Sequence, residues 1–132
     1  MNLDALRSAV AASWGRDTSD DPENWSIDIP CFGQCAVTSL VVRDYVGGEV
    51  RIADVIRDGE PVDLHCWLEL PDGATIDWTT DQFDFAYELG EPIDLTPIVD
   101  ETGVDRHRLL ARRVTKALAD MSPAGRQLVG AA

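Results

Sequence analysis

The chain has 132 residues, enough for one domain and too few for a second full core. Hydrophobic residues make up 45% and charged residues 27%, a balance that excludes disorder of the whole chain. Acidic residues outnumber basic ones by 24 to 11, for a formal net charge of -13, so nucleic-acid binding through a broad basic face is not expected. No apolar run approaches the ~18–20 residues a bilayer span needs. Met1–Arg7 shows no basic start leading into an apolar stretch. The expectation is a cytoplasmic protein of a single domain, residues 1–132, with no membrane contact.

In chain order, Leu3, Leu6, Val10 and Trp14 recur at helical spacing behind the N-cap Asn2, predicting an amphipathic helix over 3–13. Residues 15–34 form a long loop of Gly, Asp, Ser, Pro and Asn, with Trp25 as an apolar anchor; loops of this length are usually functional or mobile. Cys35 to Val46 is the strongest helix, with Val37, Leu40, Val41 and Tyr45 on one face and Gly47-Gly48 as its stop. So apolar a helix belongs in the centre of the domain. Alternation predicts strands over 49–57 and 62–70, and a return strand over 74–79. After Gln82-Phe83 the chain reads as irregular through Gly90, Pro92 and Pro97. A last helix runs from Asp105 to Met121, and the tail 123–132 is expected to fray. The Arg-rich face of that helix is expected to pair with neighbouring carboxylates rather than to bind anions.

Leu70-Pro71-Asp72-Gly73 carries the chemistry of a three-residue hairpin loop, a type I turn closed by a left-handed glycine. That turn pairs Leu70 with Ala74, Leu68 with Ile76, and Cys66 with Trp78. Leu64, Cys66, Leu68, Leu70, Ile76 and Trp78 then share an apolar, core-facing side. His65, Trp67, Glu69, Thr75, Asp77 and Thr79 share the other. His65 lies diagonal to Asp77 on that side, within the ~7–8 Å over which cross-strand neighbours interact.

An imidazole beside a carboxylate needs only a nucleophile to make a triad. Cys35 begins the buried helix, where unpaired backbone N–H groups and the helix dipole favour a thiolate. The same N–H groups suit the oxyanion of a tetrahedral intermediate. Gln34, Trp25 and Trp67 are further candidates for oxyanion or substrate contacts. Nucleophile at a helix start, base on one strand and orienter on the next is the order thiol acyl transfer requires.

These residues carry a resemblance. Gly33-Gln34-Cys35-Ala36-Val37-Thr38 and His65-x-Trp67-x-x-Leu70-Pro71-Asp72-Gly73-x-x-x-Asp77-x-Thr79-x-x-Gln82-Phe83 resemble a family of small bacterial proteins called YunG-like. More broadly, a Cys at a helix start followed by His-x-Trp and a hairpin returning with Asp looks like the transglutaminase-like branch of papain-like cysteine enzymes. The likeness covers residues 10–85. It implies an α+β fold with a papain-like core, a central helix on a small antiparallel sheet flanked by N- and C-terminal helices. It also implies a triad of Cys35, His65 and Asp77, without fixing one activity, since members include peptidases, amidases, acyl transferases and transglutaminases. The sequence departs from the family at Ile29-Pro30-Cys31-Phe32 and at Cys66, a position often aromatic there.

The expected function is therefore a cysteine-dependent hydrolase or acyl transferase acting on a peptide, amide or ester carbonyl, without a cofactor. Zinc held by Cys31, His65 and Cys66 is disfavoured, because neighbours on one strand face opposite ways and the spacing is no zinc knuckle. The competing class is a catalytically inactive acidic protein, an inhibitor or nucleic-acid mimic, using loop residues Asp17, Asp20, Asp21 and Glu23.

Overall fold

A computed structural model describes residues 2–94 and 103–121. The chain is α+β. Helix α1 spans Leu3–Ser13, α2 Cys35–Val46 and α3 Val104–Met121. The strands are β1 Glu49–Arg57, β2 Glu60–Glu69, β3 Thr75–Ile76, β4 Glu88–Leu89 and β5 Ile93–Asp94. All pairings are antiparallel, in the order β3-β2-β1-β4, with β5 also on β1.

The helices begin and end where their residues require. Asn2 Oδ1 accepts from the Ala5 N–H at 3.1 Å and caps α1. α2 is central, as its apolar sequence demands. It packs on β2 and β1 and against α3, and α3 carries α1. Val37, Leu40, Val41 and Val42 of α2 are buried with Leu6 and Val10 of α1, Val50 and Leu68 of the sheet, and Leu110 and Val114 of α3. Of the Arg-rich face of α3, Arg113 pairs with an acid, while Arg106 Nε is buried without a hydrogen-bond partner among the described residues. Arg113 Nη1 donates to Asp17 Oδ1 at 2.8 Å in a two-pronged pair, and His107 Nε2 lies 2.6 Å from Asp44 Oδ2.

The sheet departs from the sequence reading in three places. β1 and β2 join through Asp58 and Gly59, both with positive φ (52° and 79°), so β2 starts at Glu60 rather than at 62. Asp58-Gly59 between alternating segments is a strong two-residue hairpin sequence. The stretch after Gln82-Phe83 is not wholly irregular, because β4 and β5 both pair along β1. Leu64 does not belong to the core face. It is 54% exposed, since α2 starts at Cys35 over Cys66 and leaves the earlier part of β2 uncovered. The expected frayed tail, 123–132, and Pro97 lie outside the described residues.

The β2–β3 hairpin has the expected register, with Leu68 opposite Ile76 and Glu69 opposite Thr75. Leu70 N–H donates to Ala74 O at 2.7 Å, Gly73 N–H to Leu70 O at 2.9 Å, and Gly73 takes φ 88°. The return strand is shorter than the predicted 74–79, and its ladder stops at Ile76.

Gly48 fixes the passage from α2 into β1. Its φ is 106°, and a Cβ there would lie 2.4 Å from the Glu69 carbonyl oxygen. Gly47 also has a positive φ (75°), but a Cβ there meets nothing within 4 Å. Gly48→Ala should therefore cost more than Gly47→Ala, with strain of about 1–3 kcal/mol at either site plus a backbone clash only at the first. Leu68→Ala, at a fully buried position, should cost about 2–5 kcal/mol. Urea denaturation of the three variants checks this order; equal losses at the two glycines would remove the close approach as a constraint.

Candidate active site

The early end of β3 creates the site. Along β2, Leu70, Leu68 and Cys66 direct their backbone groups toward β3, because backbone direction alternates with period two. A continued ladder would pair Cys66 with Trp78. Instead Cys35, at the start of α2, lies against this stretch of β2, where the Cys66 backbone and thiol lower its pKa. The nucleophile candidate thus takes the place of a missing strand. His65 and Cys66 still leave β2 on opposite sides, with Cys66 packed in the core beside Leu68 and His65 stacked near Trp67. Because Cys35 sits at the strand edge, both side chains reach it.

His65 is fully buried, and its ring is held on every side. Nε2 lies 2.7 Å from Asp77 Oδ2. The Trp67 ring is stacked at 6.2 Å between centroids, and the Phe83 ring meets the imidazole edge-on at 5.2 Å. With Nε2 committed to Asp77, Nδ1 is the nitrogen left to serve Cys35, and Gln82 Nε2 stands 3.3 Å from it. Gln82 also lies 3.3 Å from Thr79 Oγ1. A half turn of its amide presents oxygen instead of nitrogen, so Gln82 suits a ring nitrogen with or without its proton. Gln82 was part of the sequence motif but was not among the candidate site residues. The other Asp77 oxygen, Oδ1, is buried with no hydrogen-bond partner among the described residues. The carboxylate charge is therefore shared with few other donors and acts strongly on His65.

The electrostatics follow from these contacts. Hydrogen bonding from Cys66 outweighs the burial that raises the Cys35 pKa, and with the bond and charge of His65 it holds the Cys35 thiol well below its usual value. Burial alone would depress His65. Hydrogen bonds to Asp77 and Cys35 overcome it and push the imidazole up to about 9. Both shifts favour the thiolate–imidazolium form of the pair. Cys66, giving its hydrogen bond to the thiolate and buried besides, is driven far toward the protonated form. Cys31 stands apart, its Sγ 3.7 Å from Thr79 O, and burial with the Asp81 charge pushes it up to about 11.

The other sequence candidates hold the loop over the site. Gln34 is buried, and its Nε2 donates to Gly15 O at 2.9 Å, tying the start of the loop to its end. Ser19 Oγ donates to Phe32 O at 2.9 Å and Asp20 N–H to Gly33 O at 2.9 Å. Gly33 is required here, because its φ is 70° and a Cβ would fall 2.2 Å from Ser19 Oγ. Trp25 spends its indole N–H on Pro30 O at 3.0 Å, so that group serves the loop and is not directed at an oxyanion. Asp20 stands beside Gly33, and desolvation followed by the Cys35 charge pushes its carboxyl up to about 6. Under this cover Cys35 is 7% exposed. The cavity that reaches it, lined by Cys35, Thr38, Ser39, Cys66, Asp77 and Thr79 among others, measures about 10 Å³, the space of a single water.

A family model described as YunG protein matches residues 2–119. The chain belongs to the YunG family. Among curated proteins it is similar to the uncharacterized protein YunG of Bacillus subtilis (strain 168), with 28% identity over 86 residues, 65% of this chain and 67% of the relative. No solved structure matches it. The family match takes in Cys35, His65, Asp77 and Gln82.

The ion pair sets a pH window. A depressed thiol stabilises the fold above the unfolded thiol value of ~8.5, and that contribution fades as pH falls through the folded value. A raised imidazole contributes fully below ~6.5, and its contribution is lost as pH rises through about 9. Cys35 alkylation by iodoacetamide should therefore stay level through neutral pH, while Cys31 reacts only toward pH about 11. Asp77→Asn removes the carboxylate that supports His65 and should move the Cys35 midpoint up by about 1–2 pH units. Residue-resolved mass spectrometry over a pH series measures both; equal profiles for Cys31 and Cys35 would exclude an activated thiol.

Proposed function

We propose that the chain is a cysteine-dependent acyl-transfer enzyme whose site is a Cys35–His65–Asp77 triad of the transglutaminase-like, papain-like kind. The observation that carries this reading is the meeting of the three groups at the β2 edge, with His65 2.7 Å from Asp77 and close enough to Cys35 for each to shift the other's pKa. A buried thiolate–imidazolium pair is costly unless further hydrogen bonds support it, and Asp77, Gln82 and Cys66 supply that support.

The Cys35 thiolate attacks an amide or ester carbonyl to form a tetrahedral intermediate. The unpaired N–H groups in the first turn of α2 stabilise its oxyanion. His65 gives its proton to the leaving amine or alcohol, and a thioester remains on Cys35. The neutral ring then takes a proton from water or an acceptor amine, which attacks the thioester and frees the thiol. Asp77 keeps the ring aligned and stabilises the imidazolium, and Trp67 and Phe83 fix its plane. Substrate reaches Cys35 when the loop over 15–34 parts at its Ser19–Phe32 and Asp20–Gly33 bonds, with Gln34 and Gly15 holding the base.

An activated aryl ester serves as a substrate-independent acyl donor. Intact mass should show one acyl group on the wild-type protein, mapped to Cys35. Cys35→Ser should abolish it, and His65→Ala should slow it by ~10²–10⁴. Acylation that survives Cys35→Ser, or that falls on Cys31, would leave the acidic interaction protein as the better reading. Binding of a basic partner would then be unchanged by that substitution and would weaken with salt.

A further inference from the structure

Cys66 is a buried thiol beside the triad for which acyl transfer has no use as a nucleophile. It lines the same small cavity and belongs to the same core cluster as Cys35, and the two sulfurs are close enough to couple. Both are free thiols. We propose that Cys35 and Cys66 form a hydrogen-peroxide-reactive dithiol, in which Cys35 reduces the peroxide and Cys66 closes an intramolecular disulfide. This goes beyond the acyl-transfer reading and shares with it only the Cys35 thiolate.

The steps balance with groups already in place. The Cys35 thiolate attacks one peroxide oxygen, the O–O bond breaks, and the sulfur is oxidised to a sulfenic acid. The departing hydroxide takes the His65 proton and leaves as water. Oxidation also removes the negative charge that held the Cys66 proton. His65, now neutral and still bonded to Asp77, accepts that proton. The Cys66 sulfur attacks the Cys35 sulfur, the S–O bond breaks, and the hydroxide recovers the proton from His65 as a second water. One peroxide and two thiols yield one disulfide and two waters.

Size and environment select this oxidant. The cavity that reaches both thiols measures about 10 Å³ and matches one water, so hydrogen peroxide, close to water in size, suits it where a bulky organic hydroperoxide or an acyl substrate does not. Cys31 is an internal control, since its sulfur faces Thr79 O and its burial keeps it a thiol. The disulfide would tie the start of α2 to β2 and remove the nucleophile, so the oxidised protein cannot be alkylated or acylated at Cys35 until a dithiol reductant restores it.

The test treats wild type, Cys66→Ser and Cys31→Ser with hydrogen peroxide, with and without dimedone, followed by intact mass and peptide mapping. Wild type and Cys31→Ser should lose two hydrogens, give a Cys35–Cys66 linked peptide at a rate independent of protein concentration, and recover with dithiothreitol. Cys66→Ser, checked for native circular dichroism, should instead accumulate dimedone-trapped Cys35 and lose recovery. A Cys35–Cys66 bond without any aryl-ester acylation would keep this proposal and sink the acyl-transfer one. The proposal is overturned if wild type stays reduced, links Cys31 or a second chain, or proceeds to a sulfinic acid as fast as Cys66→Ser. Should Cys66→Ser fail to fold, the wild-type linkage map and its concentration dependence decide alone.

Discussion

Everything around Cys35 depends on β3 leaving β2 after two ladder pairs, Leu68 with Ile76 and Glu69 with Thr75. A strand edge presents unpaired backbone donors, and a buried one must find partners. Here the first residue of α2 fills the gap, and the Cys35 sulfur takes a place beside the Cys66 backbone that a strand would have held. A longer β3 would pair that backbone with Trp78 and leave Cys35 no seat. The short hairpin thus sets the helix position, the approach of His65 from one side and the approach of Cys66 from the other.

Charge in so dry a place has to be shared. His65 has no solvent exposure, and Asp77 retains 23% at its side chain. The imidazolium is flanked by one carboxylate and one thiolate, and the thiolate by hydrogen bonds from Cys66 and His65. Removing any one member leaves another buried and uncompensated, which costs more than the pair itself contributes. Trp67 and Phe83 add no charge, but they exclude water and keep the ring from turning away. Cys35, His65 and Asp77 are therefore a single electrostatic unit, and their pKa values belong to the group rather than to each residue.

Much of this was legible in the sequence, and the failures have identifiable causes. The three helices followed from apolar periodicity and from Asn2 and Gly47-Gly48. The β2–β3 register followed from Pro71-Asp72-Gly73, and with it the His65–Asp77 contact. The length of β3 was not legible, because Asp77, Trp78 and Thr79 alternate as a strand would while the chain turns into the 3-10 turn Thr80–Gln82. Alternation on β2 placed Leu64 in the core, because the pattern records which face a residue occupies and not whether a helix covers that stretch. The same reasoning separated Cys66 from His65 correctly by face. It missed that a partner at the strand edge meets both. Gln82 stood in the motif without a role, since only the fold brings a residue of that turn to His65 Nδ1.

Closure of the site and reactivity of the thiol arise from the same contacts. The loop bonds of Ser19, Asp20 and Gln34 keep water off the ion pair, which strengthens every interaction within it. They also leave Cys35 7% exposed, so large and small reactants are sorted by how much of the loop must move. Asp20 lies where that sorting occurs, beside Gly33 and near the sulfur. Its carboxyl titrates at about 6, so above that pH it adds a negative charge next to the thiolate, and below it the repulsion is relieved. A loop held by neutral hydrogen bonds yet carrying a like charge toward the nucleophile favours cationic or neutral molecules at the opening over anionic ones. With a net charge of -13 on the whole chain, the far field acts in the same direction. A cationic amine would approach down this potential, an uncharged peroxide would feel little of it, and a carboxylate would approach against it.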